Sequence, residues 1–177
     1  EEKSGILKEL ILNYGGDLAE EGDFPEEIAK EISVVKGNRI SLEYYYSSCC
    51  PDEVFRQIYS GYCQTCQARR KLDFDDMLLY CYELFVQRKD ILAAWQNKFQ
   101  YILVDEFQDT DNLQVGIVGK ICDEGLTTLA TVGDAQQSIY GFRGADLEVY
   151  QRMRAMMRER GSNEVELTIN YRSQPDI

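Results

Sequence analysis

Three carboxylates follow an apolar run in "YILVDEFQDT", residues 101–110: Asp105, Glu106 and Asp109. A strand that stops at Asp-Glu can hold Mg²⁺ through the first side chain, because Mg²⁺ takes one or two carboxylates and completes its shell with water and phosphate oxygens. The second carboxylate can then polarise an attacking water. Two further strand-like runs also end in reactive residues: "LTTLATVGD" at Gly133-Asp134, and "VELTINYRS" at Asn170-Tyr171-Arg172. Ligands of open parallel sheets bind at the carboxyl ends of the strands. Solvation would account for any one such end, whereas three together point to a ligand site.

The elements that must position these residues can be read from periodicity. "SGILKELILN" predicts a short amphipathic helix closed by "YGG". "FPEEIAKEISVVKGN" predicts a helix with Pro25 in its first turn and Gly37-Asn38 at its end. A longer helix is expected over roughly residues 52–70, with Val54, Ile58, Tyr59, Tyr62 and Cys66 near helical spacing. "KLDFDDMLLYCYELF" and "KDILAAWQNKF" predict two more, and "RISLEYYYSSCC" reads equally as extended chain or loop. After residue 100 the pattern becomes strand, helix, strand, helix, strand, with "YILV" as a buried parallel strand, "NLQVGIVGKICDEG" a helix closed by Gly125, and "DLEVYQRMRAMMRERGS" the second helix. The expected fold class is α/β: a partial parallel sheet preceded by a helical part.

Composition narrows the class. The 177 residues carry 19 basic and 31 acidic side chains, net −12, and 44% are hydrophobic. No apolar run approaches the ~20 residues of a membrane span, and the first residues lack the apolar centre of a signal peptide. On charge alone nucleic-acid binding is disfavoured, because phosphate contacts need clustered Lys and Arg. Six cysteines without a secretory signal read as free thiols in a reducing compartment, so a cytoplasmic location is expected. Cys63 and Cys66 form CxxC, and Cys49 with Cys50 could complete a zinc set. Their helical i, i+3 spacing favours small semi-buried residues instead, and zinc is not expected. Asp73, Asp75 and Asp76 invite a metal reading too, yet an N-cap followed by first-turn acids needs no ion.

"ILVDEFQDT", "TVGDAQQSIYGFRGAD" and "NYRS" resemble motifs II (Walker B), III and IV of superfamily 1A DNA helicases of the UvrD/Rep/PcrA and AddA kind, in the same order and spacing. "LDFDDML" resembles a further segment of that family, and the likeness covers about residues 52–177. It implies a partial P-loop NTPase (RecA-like) sheet over residues 72–177 and a mostly helical 1B-like insertion over residues 1–71. By the same resemblance Asp105 would hold the Mg²⁺ of Mg-ATP and Glu106 would be the general base, also near the metal or its water. Gln108, Asp109 and Asp134 would support the nucleotide site, with Gln108 and Asp109 also its link to motif III. Gln137 would sense the γ-phosphate, and Arg172 would reach it as an arginine finger in cis. Tyr140, Phe142 and Arg143 would face single-stranded DNA, where stacking contributes on the order of 1–3 kcal/mol per base. With such stacking the net charge does not contradict the likeness, although tight DNA binding by this piece alone is not expected.

The sequence contains no GxxxxGK[ST], the loop that cradles phosphates with backbone N–H groups and a Lys. The resemblance therefore implies an internal piece of an ATP-dependent helicase, without Walker A or motifs V and VI. Such a piece is expected to be inactive alone, and a 3′→5′ direction is what the likeness suggests for the parent. A competing expectation is a degenerate stand-alone module that binds DNA or a protein. Truncation of the sheet would also leave an exposed edge open to self-association.

Overall fold

The computed structural model describes residues 2–20, 22–123, 127–137 and 147–166. Among them are seven α-helices: α1 Glu2–Tyr14, α2 Phe24–Asn38, α3 Asp52–Ala68, α4 Phe74–Gln87, α5 Lys89–Lys98, α6 Asn112–Cys122 and α7 Leu147–Glu159. Two strands, β1 Tyr101–Val104 and β2 Thr128–Thr131, pair in parallel. The fold is α/β and mostly helical, with a small parallel sheet consistent with a partial RecA-like core plus a helical insertion.

Two sets of buried side chains organise it. In the first, α1, α2 and α3 converge. Phe24, Ile28, Ile32 and Val35 form one face of α2, and Phe55, Ile58, Tyr62 and Cys66 one face of α3. These are i, i+3, i+4 spacings, so a helical backbone brings each set onto one stripe. Phe55 carries the burial rather than its neighbour Val54, which only packs against the edge of the cluster. Cys49, Cys50 and Cys63 lie at the same edge, and burial pushes the Cys49 thiol up to about 12 and raises that of Cys63. In the second set, Phe85, Leu92 and Ile121 from α4, α5 and α6 pack together, and Ile102 of β1 rests on them.

A buried ion-pair network ties the sets together. The Lys36 ammonium, its side chain 2% exposed, donates to Asp76 Oδ1 at 2.6 Å and Asp73 Oδ2 at 2.9 Å. Tyr62 Oη donates to the same Asp73 oxygen at 2.7 Å. Asp73 is also the N-cap of α4: its side chain accepts from the Asp76 amide, and the Asp76 side chain accepts from the Asp73 amide. Asp75 is held by Lys3 Nζ at 3.0 Å and Ser33 Oγ at 2.7 Å. Asp73 thus caps the helix with Asp75 and Asp76 in its first turn, as the sequence reading favoured, and all three also pair with lysines, which it did not foresee. Burial opposes charge on Lys36, but the Asp76 and Asp73 bonds outweigh it and its pKa is raised. Burial would likewise raise the Asp73 carboxyl, but the Asp76 amide, Lys36 and Tyr62 hold it low.

One expectation about strands needs correction. "YILV" is not buried on both faces: Ile102 and Val104 are half-buried, while Tyr101 and Leu103 are 76% and 67% exposed. A continuous apolar run implies cover on both sides, and here α4, α5 and α6 supply cover on one. Of the third expected strand, residues 165–173, only 165 and 166 are described, both without strand pairing, and the rest lies outside the described residues, as does Gly125. The undecided segment at residues 39–50 contains a short 3₁₀ turn, Leu42–Tyr44, and extended backbone at Ser41 and Tyr45.

Replacing Lys36 with Met leaves two poorly solvated carboxylates without their cation. Lys36→Met is expected to lower stability by about 3–5 kcal/mol, and a loss below about 1 kcal/mol in urea denaturation would refute the buried network. The pH dependence has a defined sign. The folded pKa of Asp73 is depressed, so its contribution is present above the ordinary value of 3.8 and fades as pH falls through the lowered one.

Candidate functional site

The two strands pair level, Tyr101 with Thr128 through Val104 with Thr131, so both strands leave the sheet at the same height. The ladder continues one step further. Val132 N donates to Val104 O at 2.8 Å, and Phe107 N donates back to Val132 O at 2.9 Å. Between those anchors Asp105 and Glu106 are exposed, and Asp105 Oδ1 accepts the Glu106 amide at 2.9 Å. Glu106 turns the chain with φ 50° and ψ 42°, a left-handed conformation uncommon for residues other than Gly, Asn and Asp. Strain of this kind costs on the order of 1–3 kcal/mol and persists only where the surroundings enforce it. Here the enforcing contact is Phe107, which is buried and lies 6.0 Å, ring centre to ring centre, from Tyr150 of α7.

Gln108 joins the two strand ends. It is 1% exposed. Its Nε2 donates to Glu106 Oε2 at 2.7 Å, and its Oε1 accepts the Asp134 amide at 2.9 Å. Asp134 in turn caps the 3₁₀ turn Ala135–Gln137, accepting from Gln136 N and Gln137 Nε2, each at 2.9 Å. The Gln136 amide and, next, the Gln137 side chain hold the Asp134 carboxyl below its ordinary range. Hydrogen bonds therefore run from Glu106 through Gln108 and Asp134 to Gln137. Asp109 is half-buried beside this chain, with Oδ1 buried and unpartnered among the described residues.

Of the residues singled out from the sequence, Asp105, Glu106, Gln108, Asp109, Asp134 and Gln137 sit together at the strand ends. Tyr140, Phe142, Arg143 and Arg172 lie outside the described residues. The sequence marked Gly133 only as the residue before Asp134 at a strand end, and did not single out Tyr150. Gly133 allows the close approach of Gln108, and Tyr150 Oη donates to Gly133 O at 3.3 Å. The only local signal was a Gly immediately past a β-rich run, which marks close backbone approach.

The donor set fits a hard cation in part. Asp105 and Glu106 offer exposed carboxylate oxygens on adjacent residues, the one or two protein ligands Mg²⁺ takes when water and phosphates supply the rest. Among the described residues no three His, Cys, Asp or Glu side chains form a metal-binding group, so a complete all-protein cage is not what these residues build. No described helix is long and apolar enough to cross a membrane.

The family model described as UvrD/REP helicase N-terminal domain matches residues 2–158. This chain belongs to that UvrD/REP family. Among similar proteins, a probable DNA helicase II homolog of Mycoplasma capricolum is 39% identical over 125 residues, 70% of this chain and 17% of the relative. The ATP-dependent DNA helicase PcrA of Staphylococcus aureus is 41% identical over 120 residues, 68% of this chain and 16% of that protein. DNA helicase II of Haemophilus influenzae is 40% identical over 121 residues, again 68% and 16%. This UvrD/REP chain thus spans about one sixth of the length of the relatives it matches.

The Gln108 bridge gives a direct prediction. Gln108→Leu removes the acceptor of a backbone N–H and should cost about 1–3 kcal/mol. Hydrogen exchange at the Asp134 amide should accelerate in step, and an unchanged exchange rate would show that the bridge is not formed.

Proposed function

We propose that this chain forms part of the motor of an ATP-dependent DNA helicase that couples ATP hydrolysis to movement on single-stranded DNA. The observation that carries the reading is the hydrogen-bonded line from Glu106 through Gln108 to Asp134 and Gln137, at the carboxyl ends of two level parallel strands, in a chain of the UvrD/REP family. Strand ends are where open α/β sheets bind nucleotides.

In this reading residues 72–177 belong to the motor subdomain and residues 1–71 to a helical insertion. Two separate sets of buried side chains, joined by the Lys36 network, support that division. Asp105 holds Mg²⁺, which when bound with ATP supplies charge neutralisation at the transferred phosphate. Glu106 accepts the proton of the attacking water, and its left-handed backbone fixes where the carboxylate starts. Gln108 orients that carboxylate, with Asp109 and Asp134 supporting the same site. Gln137, tethered to Asp134, would sense a γ-phosphate, and Arg172 would reach it as an arginine finger in cis. Tyr140, Phe142 and Arg143 grip single-stranded DNA by stacking and charge. Movement is 3′→5′, and the setting is the cytoplasm, in keeping with free cysteines throughout. The phosphate cradle is absent from this sequence, so hydrolysis requires one supplied from outside these 177 residues.

The 177-residue chain alone should therefore turn over no ATP. In the protein that carries it, Glu106→Gln should lower kcat by about 10²–10⁴-fold, the range for loss of a general base, with ATP binding retained. DNA-stimulated turnover by the isolated chain, or a Glu106→Gln protein at the wild-type rate, would overturn the assignment. We also propose that the isolated chain self-associates through the exposed sheet, where Tyr101, Leu103 and Val132 lie open. Sedimentation velocity should show mass rising with concentration, and a strictly monomeric chain would exclude this.

A further inference from the structure

Gln108 can direct a hydrogen atom at Glu106 only in one orientation of its amide. Turned over, Nε2 would face the Asp134 N–H, donor against donor, and Oε1 would face a carboxylate. The observed arrangement satisfies both ends: donor to Glu106 Oε2 at 2.7 Å, acceptor from Asp134 N at 2.9 Å. The orientation of the amide is thus set by the backbone that follows β2, provided that backbone stays close.

Two residues keep it close. At Gly133 an added Cβ would lie 2.7 Å from Gln108 Oε1, 3.2 Å from Gln108 N and 3.2 Å from the Tyr150 ring. Backbone and a buried side chain do not yield easily at such distances. Tyr150 closes the other side. Its hydroxyl donates to Gly133 O at 3.3 Å, and its ring is tilted 49° against Phe107. Phe107 is the residue that ties the Asp-Glu turn to β2, through its amide to Val132 O. One ring of α7 therefore touches both strand-end segments.

We propose that Gly133 and Tyr150 are positioning residues for the Glu106 carboxylate, pressing the Gln108 amide into the one orientation that points its donor at Glu106. This deepens the reading of Glu106 as a general base and rests on it. The consequence is that the segment leaving β2 and the helix α7 jointly set the direction of the base. Displacement of either releases the carboxylate without altering a residue that would touch nucleotide.

The test uses steady-state ATP hydrolysis by the protein that carries this chain, with Gly133→Ala, Tyr150→Ala, Tyr150→Phe and Glu106→Gln compared. Gly133→Ala and Tyr150→Ala should lower kcat by on the order of 100-fold, the penalty of misplacement by about 1 Å, with KM for ATP little changed. Tyr150→Phe, which keeps the ring against Phe107 but loses the hydroxyl bond to Gly133 O, should give a kcat between those of wild type and Tyr150→Ala. Thermal melts of each variant separate folding from positioning. Should Tyr150→Ala fail to fold, Gly133→Ala and Tyr150→Phe still decide the matter. In the 177-residue chain, Gly133→Ala should also shift the Gln108 side-chain amide resonances in ¹⁵N spectra and speed their exchange with solvent. Loss of activity in Glu106→Gln alongside wild-type kcat in folded Gly133→Ala and Tyr150→Ala overturns this inference alone. Wild-type kcat in Glu106→Gln overturns the base assignment and this inference with it.

Discussion

The amide of Val132 donates to the carbonyl of Val104, and the amide of Phe107 donates back to the carbonyl of Val132. These two bonds extend a parallel ladder beyond its regular residues and force the chain to turn between them. Asp105 and Glu106 occupy that turn, and Glu106 takes a left-handed backbone to make it. Every other feature of the site follows from this constraint. Gln108 is brought under the turn, the Gly133-Asp134 backbone is brought over it, and the Gln108 amide spans the gap. Among the described residues the sheet has two four-residue strands, yet level registration is enough to set the two candidate-site segments at hydrogen-bond distance.

The charge distribution is consistent with a site that relies on geometry more than on a basic surface. Many cations face carboxylates within the chain itself. Lys3 and Lys36 face the aspartates of α4, Arg88 faces Asp90, Arg154 and Arg158 face Glu164, and Arg160 faces Asp123. The exposed members of this set contribute little to stability. The pairs made by Arg154, Arg158 and Arg160 do reduce the positive potential that α7, with its three arginines, and Arg160 just beyond it would otherwise project.

Much of this was legible locally. Helix ends were marked by capping chemistry, so Asp73 and the Pro25 and Gly37-Asn38 signals located real boundaries. The acidic cluster at residues 105–109 announced itself because side-chain chemistry is a property of the residues themselves. Contacts across sequence distance were not legible. Gly133 and Tyr150 meet Gln108 only after β2 and α7 fold over it. "YILV" misled because four apolar residues cannot say whether one or both faces will be covered. "EYYYSS" resisted assignment for a related reason. Tyr45 packs inward 5.0 Å from the Phe55 ring while Tyr44 and Tyr46 face solvent. That is the alternation of a strand, in a segment with no partner strand among the described residues.

Lys36 carries a consequence for covalent chemistry. An amine attacks acylating reagents only when neutral and reachable. Lys36 is neither, being enclosed and held protonated by two aspartates, whereas Lys8, Lys30 and Lys89 stand in solvent. Its ammonium lies at the seam where α2, α3 and α4 meet. Labelling at that one lysine is therefore gated by parting of the seam, which makes Lys36 a built-in reporter of when the two packed halves of the chain come apart.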